Sequence, residues 1–272
     1  MKDNVKLFFA LLLLLALISI SYFTGTSSQS FFNQTIYLIF PMIAALAGFL
    51  AAKIYGYRDK AGRGIFYMAI GFAFWALGDI TWYLFVNFMN IDPFPSIADV
   101  FYVSGYLLVF IGICVAFMLA KINPADIKKI AKRSLTVNIP VLIVLISIVS
   151  YFGIYKAYDP GSNFIHNFFS LSYGIVDLVL IIASMFALAI MKIYQGGKFA
   201  AFWRDMLIGF LLFLLADILF ALYQAEYTKD LKPYIYIDLI YAASYLCFAF
   251  AMFDRYISLL SLHRSIKNGI SK

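Results

Sequence analysis

The sequence predicts an all-α integral membrane protein with eight transmembrane helices. Hydrophobic residues make up 64% of the 272 residues and charged residues only 13%, which is too few charges for the surface of a soluble protein. Apolar runs of about 20 residues, the length of a helix that crosses a bilayer, recur along the whole chain. Basic residues also cluster on alternate connections between these runs, a pattern typical of multi-pass membrane proteins.

Eight apolar runs carry this prediction, and we number them 1 to 8 in chain order. They are too long and too uniformly apolar for the roughly ten-residue alternating strands of a membrane barrel. Run 1 shows no small-residue cleavage pattern, so we interpret it as a helix rather than a signal peptide. The runs cover residues 6–24, 35–55, 64–88, 97–120, 136–155, 166–191, 202–225 and 234–256.

The basic residues predict the orientation of the chain. If the termini and alternate connections share one side, that side holds eighteen of the 21 Lys and Arg residues. The other side holds only Lys156, Lys229 and Lys232. Because cytoplasmic connections are the basic ones, we expect both termini in the cytoplasm of a cell-membrane protein. The net charge of +7 is thus explained by orientation, and no nucleic-acid partner is predicted.

An internal repeat organises the chain. Equivalent residues lie 138 or 139 positions apart, and because each copy has four helices, the copies point the same way across the membrane. We therefore expect two parallel four-helix repeats, at 1–133 and 134–256, followed by a cytoplasmic helical tail at 257–272. The equivalent pairs are Gly71 and Gly209, Asp79 and Asp217, Asp99 and Asp238, Tyr102 and Tyr241, and Tyr106 and Tyr245.

The start of run 4 carries an Asp-x-x-Tyr-x-x-x-Tyr row that recurs in run 8. Spacings of three, four and seven residues put such a row on one face of a helix. Ser96 is the predicted N-cap of run 4, with Asp99 three residues on in a capping-box arrangement. Two prolines in the preceding connection, Pro93 and Pro95, make this a short turn between neighbouring antiparallel helices.

Three carboxylates, Asp79, Asp177 and Asp217, lie well inside apolar runs. A charge at the bilayer centre costs about 2.5–3.5 kcal/mol on insertion scales, so such residues face the bundle interior and indicate function. The alternative is structural: Asp79 and Asp217 would be bonded to tyrosine hydroxyls of the next helix, and Asp99 would simply cap its helix. Asp177 has no equivalent carboxylate in the first copy.

A polar ligand site is predicted at the outer half of the bundle, on the second-copy side or between the copies. The sequence contains no phosphate-binding loop, metal-ligand cluster or Ser-His-Asp arrangement, so no catalytic residue, metal or cofactor is predicted. The tyrosines of the site have packing as their alternative role. The predicted ligand-binding residues are Asp79, Asp99, Tyr102, Tyr106, Asp177, Asp217, Asp238, Tyr241 and Tyr245.

The stretch from Pro95 to Tyr102, with Gly105 and Tyr106 following, resembles a pattern in the multi-pass membrane regions of prokaryotic signalling proteins. Those regions precede diguanylate cyclase or histidine kinase domains, and the resemblance implies an input module. A weaker likeness, carried by Gly78 and Asp79, is to the lysoplasmalogenase-like eight-helix membrane proteins. The histidine that follows in that family is absent here, and Tyr106 lies in the comparable region.

These observations leave three functions open. The leading one is a membrane sensor that binds a small or lipophilic ligand and signals through its last helix to a cytoplasmic kinase or cyclase. The second is a transporter or channel for a small solute or ion that uses the intramembrane aspartates. The third is an intramembrane lipid hydrolase. The expected partners are membrane lipid, the ligand, the effector and a second copy in a homodimer.

Overall fold

A computed structural model describes residues 25–89, 91–119, 139–194, 197–227 and 235–270. Run 1 and the connection at 120–138 lie outside the described residues. Within those ranges the chain is helical with short turns and has no strand. The predicted all-α class is therefore confirmed.

Seven described helices are long and apolar enough to cross a membrane. Runs 2 to 8 correspond to these seven helices. The remaining predicted helix, run 1, falls outside the described residues. Two of the helices finish in π-helical turns, Phe85–Met89 after α2 and Val149–Lys156 in the second half of α4. The helices are α1 (Gly25–Tyr55), α2 (Lys60–Leu84), α3 (Ile97–Leu119), α4 (Ile139–Lys156), α5 (Phe164–Tyr194), α6 (Gly197–Tyr227) and α7 (Ile235–Ile270).

Two helices differ in length from their apolar runs. Helix α1 begins at Gly25, whereas the sequence predicts a start near residue 35, because the polar Ser and Gln residues of that stretch resemble a loop. Helix α7 continues through Ile270, fourteen residues past the end of run 8, as the helical tail prediction requires. At about 1.5 Å per residue, its 36 residues form a rod about 54 Å long.

Six of the helices form a closed ring. Going round it, each packs on its two neighbours in the order α1, α2, α3, α5, α6, α7, and α7 closes the ring against α1. Helix α4 lies outside and packs through its π-helical half against α5 and α6. We call the end of the bundle where α2 and α6 finish and α3 and α7 begin the cavity end, and the other end the opposite end.

Glycines let α2 and α3 approach backbone to backbone. A Cβ added at Gly71 would lie 2.8 Å from the Gly105 carbonyl oxygen, and one added at Gly112 would lie 2.6 Å from the Gly64 carbonyl oxygen. Small residues at helix contacts drive close packing in membranes, where dispersion replaces the hydrophobic effect. This contact fixes the start of α3 beside the end of α2, which positions the polar groups of the cavity end.

A compact turn joins α4 to α5 at the same end. Asn167 Nδ2 donates to the Asp159 carbonyl oxygen at 2.8 Å, and the Asp159 N–H donates back to Asn167 Oδ1 at 2.9 Å. Hydrogen bonds from the Ser162 hydroxyl and the Gly161 N–H lower the pKa of the exposed Asp159 carboxyl. This turn holds the first turns of α5 against the cavity.

Candidate functional site

The polar groups of the cavity end surround one cavity of about 120 Å³. It is lined by the ends of α2 and α6, the starts of α3 and α7, the π-helical end of α4 and the first turns of α5. The lining includes eight of the nine predicted ligand residues: Asp79, Asp99, Tyr102, Tyr106, Asp217, Asp238, Tyr241 and Tyr245. The sequence prediction and the structure therefore bring the same eight side chains together around one cavity.

Helix α3 is capped as the sequence predicts. The Ser96 hydroxyl accepts the Ala98 N–H at 3.0 Å, and the Asp99 carboxylate accepts the Ser96 N–H at 2.6 Å. Asp99 also accepts a bond at 2.5 Å from the hydroxyl of Tyr173, on α5. The structural reading of Asp99 as a cap is thus correct, and the same carboxylate also faces the cavity.

Asp79 on α2 accepts hydrogen bonds from tyrosines of both sequence copies. The hydroxyl of Tyr102 donates to its Oδ1 atom at 2.8 Å, and the hydroxyl of Tyr245 donates to the same atom at 3.5 Å. Its Oδ2 atom is buried and has no hydrogen-bond partner among the described residues. One oxygen of this carboxylate therefore remains available as an acceptor.

Asp217 on α6 has the equivalent pair of donors. Tyr241 donates to its Oδ1 atom, and Tyr106 donates to its Oδ2 atom at 2.8 Å. Each of the two carboxylates thus accepts hydrogen bonds from one tyrosine of α3 and one tyrosine of α7. Because Tyr241 and Tyr245 lie one turn apart on α7, that single helix contacts both carboxylates.

Helix α7 carries a carboxylate of its own, Asp238, near its start. This side chain is buried and accepts a hydrogen bond of 2.7 Å from the Tyr227 hydroxyl. Tyr227 is the last residue of α6 and lies beyond its membrane span. Burial, together with the neighbouring Asp238 carboxylate, raises the pKa of the Tyr227 hydroxyl well above its ordinary value. Tyr227 therefore remains protonated, and a donor, at physiological pH.

Asp177 differs from the prediction, because it does not line the cavity. It is fully buried on α5, where Asp217 and Tyr106 are its electrostatic neighbours. Neither of its oxygens makes a hydrogen bond of normal geometry to a described residue. Helix α5 thus adds a carboxyl behind Asp217, beneath the cavity wall rather than at its surface.

An aromatic layer closes the cavity toward the opposite end. The ring of Trp75 stacks on that of Phe213, with centroids 5.0 Å apart and planes 18° apart, and its Nε1 donates to the Tyr102 carbonyl oxygen at 3.1 Å. Phe72, Phe210 and Phe248 are fully buried beside this stack. The polar layer therefore rests on a packed hydrophobic layer, with Trp75 fully buried between them.

A second group of aromatic residues surrounds the mouth of the cavity. Trp82 packs edge-on against Phe220 at 5.7 Å, and Phe220 in turn contacts Phe94 at 6.3 Å and Tyr227 at 5.4 Å. Phe94 also packs on His166, at 5.1 Å. We call Trp82, Phe94, Phe220 and Tyr227 the aromatic rim.

The lining of the cavity contains acidic side chains and no described basic one. Asp79, Asp99, Asp217 and Asp238 line it, whereas none of its described lining residues is Lys, Arg or His. These carboxylates are spread around the wall: the part of the chain that the structure describes has no group of three acidic, His or Cys residues placed to hold a metal ion. The described lining of the site is therefore acidic and aromatic.

Sequence reasoning missed Tyr173 and Tyr227, which bond the two capping-position aspartates. Tyr173 lies four residues before Asp177 on the same helix face, a spacing that signals a polar face of α5. Tyr227 follows the end of an apolar run and gives no such signal.

Comparison of the chain with protein-family models, curated proteins and solved structures finds no match.

Proposed function

We propose that this protein is a membrane input module that binds a small or lipophilic ligand in the cavity and transmits binding along α7. One observation carries this proposal: α7 supplies tyrosine donors to both Asp79 and Asp217 and continues as one helix to Ile270 at the opposite end. A ligand that replaces these hydroxyl donors at the carboxylates removes the hydrogen bonds that hold α7 to α2 and α6. The helix then carries that change about 40 Å, from Tyr241 to its end, at about 1.5 Å per residue.

The contacts of α7 at the opposite end support this lever role. The guanidinium of Arg255 donates a hydrogen bond to the Tyr55 hydroxyl on α1 and lies 5.2 Å from the centroid of that ring. It also lies 6.0 Å from the ring centroid of Phe202, on α6. Arg255 therefore connects α7 to both of its neighbours in the ring, at the level where a shift of α7 would be read out.

The proposal includes the orientation and the repeat. Eight helices, both termini in the cytoplasm and a cell-membrane location follow from the distribution of basic residues. Two parallel repeats are supported by the exchange of tyrosines between the two carboxylates and by the stacking of Trp75 on its repeat equivalent Phe213. The cavity then opens outside, and α7 ends in the cytoplasm.

A cytoplasmic effector is the partner that this function requires. The resemblance of residues 95–106 to signalling input regions favours a histidine kinase or a diguanylate cyclase, in the same chain or in a separate protein. Such effectors act as dimers, so a homodimer of the membrane module is part of the proposal. A shift of α7 in each copy would then alter the separation of two effector domains.

Spin-label distances test the lever. Arg58→Cys and Ser261→Cys introduce exposed labels on the α1–α2 turn and on α7, after Cys114 and Cys247 are replaced by alanine. Removing both α7 donors, with Tyr241→Phe and Tyr245→Phe, should shift the distance by about 1–2 Å, as helix shifts do in other switches. Tyr102→Phe with Tyr106→Phe, which removes both donors on α3, is the matched control. An unchanged distance in the α7 variant would reject the lever.

A cation transporter is the second candidate, favoured by the buried Asp177 carboxyl next to Asp217. Intramembrane carboxyls of this kind form proton relays in pumps and transporters. Proton flux into liposomes above the protein-free level, lost in Asp177→Asn, would support transport. The third function, lipid hydrolysis, needs a nucleophile and a base, and the described lining has no Ser–His or Cys–His pair.

A further inference from the structure

We propose that the cavity binds an organic ammonium cation, a protonated amine on a short apolar chain. Its ammonium group would lie at the Asp79 and Asp217 carboxylates, and its chain would lie against the apolar side chains of the cavity wall. This inference rests on the proposed function in that it takes the cavity to be a ligand site, and it names the chemical class of the ligand.

The charge of the lining selects a cation. Four carboxylates face a space that no described basic side chain lines, and their partners among the described residues include tyrosine hydroxyls and a backbone N–H. Carboxylates in a low-dielectric site are stabilised by a positive charge within a few ångströms, and an anion there would be repelled. The buried Oδ2 atom of Asp79, a residue of the cavity lining, has no partner among the described residues, and an acceptor left without a donor favours a ligand that brings an N–H group.

The aromatic residues select an organic cation over a metal ion. The lining includes Trp82 and several tyrosines, and the faces of such rings attract ammonium groups by about 0.5–2 kcal/mol depending on desolvation. Calcium and magnesium instead need six or more convergent oxygen ligands. No group of three metal-ligating side chains converges among the described residues, so the dispersed carboxylates do not meet that need.

The size of the cavity fits a short chain. About 120 Å³ is roughly ten times the volume that one ordered water requires by the same kind of measure. Part of the remaining wall, formed by Phe213, Ile218, Ala221 and the glycines Gly153 and Gly174, is apolar. Such a wall offers an alkyl chain dispersion contacts, while the ammonium group takes the polar side.

Equilibrium dialysis with labelled six-carbon probes tests the ligand class. The full chain, in nanodiscs of uncharged phosphatidylcholine, is dialysed against hexylammonium, 1-hexanol and hexanoate at one ionic strength, and uptake by empty nanodiscs is subtracted. Hexylammonium should bind at least tenfold more tightly than 1-hexanol, and hexanoate should not exceed the empty nanodiscs. The diammonium 1,6-diaminohexane identifies the source: tighter binding than hexylammonium indicates a diamine, and weaker binding a single-headed amine.

Substitutions then tie the selectivity to the carboxylates. Asp79→Asn should weaken hexylammonium binding at least tenfold and change 1-hexanol binding less than twofold, and retained 1-hexanol binding shows that the cavity is intact. Asp59→Asn, which removes an exposed carboxylate at the opposite end, is the matched control and should leave both unchanged. If Asp79→Asn fails to fold, Asp217→Asn makes the same test.

Three outcomes overturn the inference: no binding of hexylammonium, equal affinity for 1-hexanol and hexylammonium, or hexylammonium selectivity that survives both aspartate substitutions. The fate of the input module is measured separately. If hexylammonium binds selectively and the Arg58–Ser261 label distance does not change, the ligand class stands and the lever fails.

Discussion

The hydrogen bond from Tyr106 to Asp217 makes the sharpest prediction, because the molecule contains a weaker equivalent of it. Tyr106 donates to Asp217 at 2.8 Å, the usual length of an O–H···O bond, whereas Tyr245 donates to Asp79 at 3.5 Å. Both tyrosines are almost fully buried, and phenylalanine keeps their ring contacts. Tyr→Phe therefore removes the hydroxyl and little else.

The magnitude follows from what such bonds contribute in membranes. Interhelical hydrogen bonds measured by double-mutant cycles in a membrane protein average about 0.6 kcal/mol and reach about 1.7 kcal/mol. We expect the Tyr106–Asp217 coupling at about 1 kcal/mol, because the bond is short and buried. At 3.5 Å the bond is close to the geometric limit, so the Tyr245–Asp79 coupling should be about half of that or less.

The assay is reversible unfolding in mixed micelles titrated with dodecyl sulfate, followed by far-ultraviolet circular dichroism. Each cycle combines Tyr→Phe with Asp→Ala, and the cycle isolates the pair from the other contacts of either residue. The reasoning is wrong if the Tyr106–Asp217 coupling is zero within error. It is also wrong if the Tyr245–Asp79 coupling is the larger of the two, because the network would then differ from the geometry described.

Three further predictions concern packing, topology and the wall of the cavity. Gly71→Ala should lower the unfolding free energy by about 1–3 kcal/mol, because its Cβ would meet the neighbouring backbone. Gly153→Ala, whose Cβ would have its nearest neighbour at 3.6 Å, should change the unfolding free energy by no more than about 0.5 kcal/mol in the same titration. Equal losses would contradict the close packing of α2 and α3. Impermeant maleimide applied to intact cells should label Pro160→Cys and not Arg58→Cys, and the reverse result would invert the proposed orientation. Tyr173→Phe should weaken hexylammonium binding less than Asp79→Asn does, because Tyr173 acts through Asp99; an equal loss would make it a direct ligand contact.

The helices and the position of the polar site could be predicted from the sequence because they depend on local patterns. Apolar length predicts each span, and the Asp-x-x-Tyr-x-x-x-Tyr spacing predicts one face of α3 and of α7. The N-cap at Ser96 depends on contacts within three residues, and it is confirmed. The predicted start of α1, near residue 35, was wrong because the first turns of this helix are polar. Polarity alone does not distinguish a loop from a helix that continues beyond the apolar span.

The partners across the bundle could not be predicted in the same way. Nothing within α2 or α6 tells whether an aspartate binds the tyrosine of its own copy, of the other copy or of both, because that depends on how the ring of helices closes. Asp177 shows the same limit: its helix face is readable, but its depth behind Asp217 is set by the packing of α5 between α3 and α6. The sequence thus identifies which side chains are costly to bury, and closure of the ring decides which of them face a ligand.

Ring closure also explains why α7 is the helix best placed to respond to the cavity. It contacts α1 on one side and α6 on the other, and it donates to both Asp79 and Asp217 through residues one turn apart. Helix α3 also bonds both carboxylates, through Tyr102 and Tyr106, but it ends at Leu119 in the description, whereas α7 continues beyond its membrane span to Ile270. The two helices hold the carboxylates in equivalent ways, and the length of α7 is what makes it the proposed output.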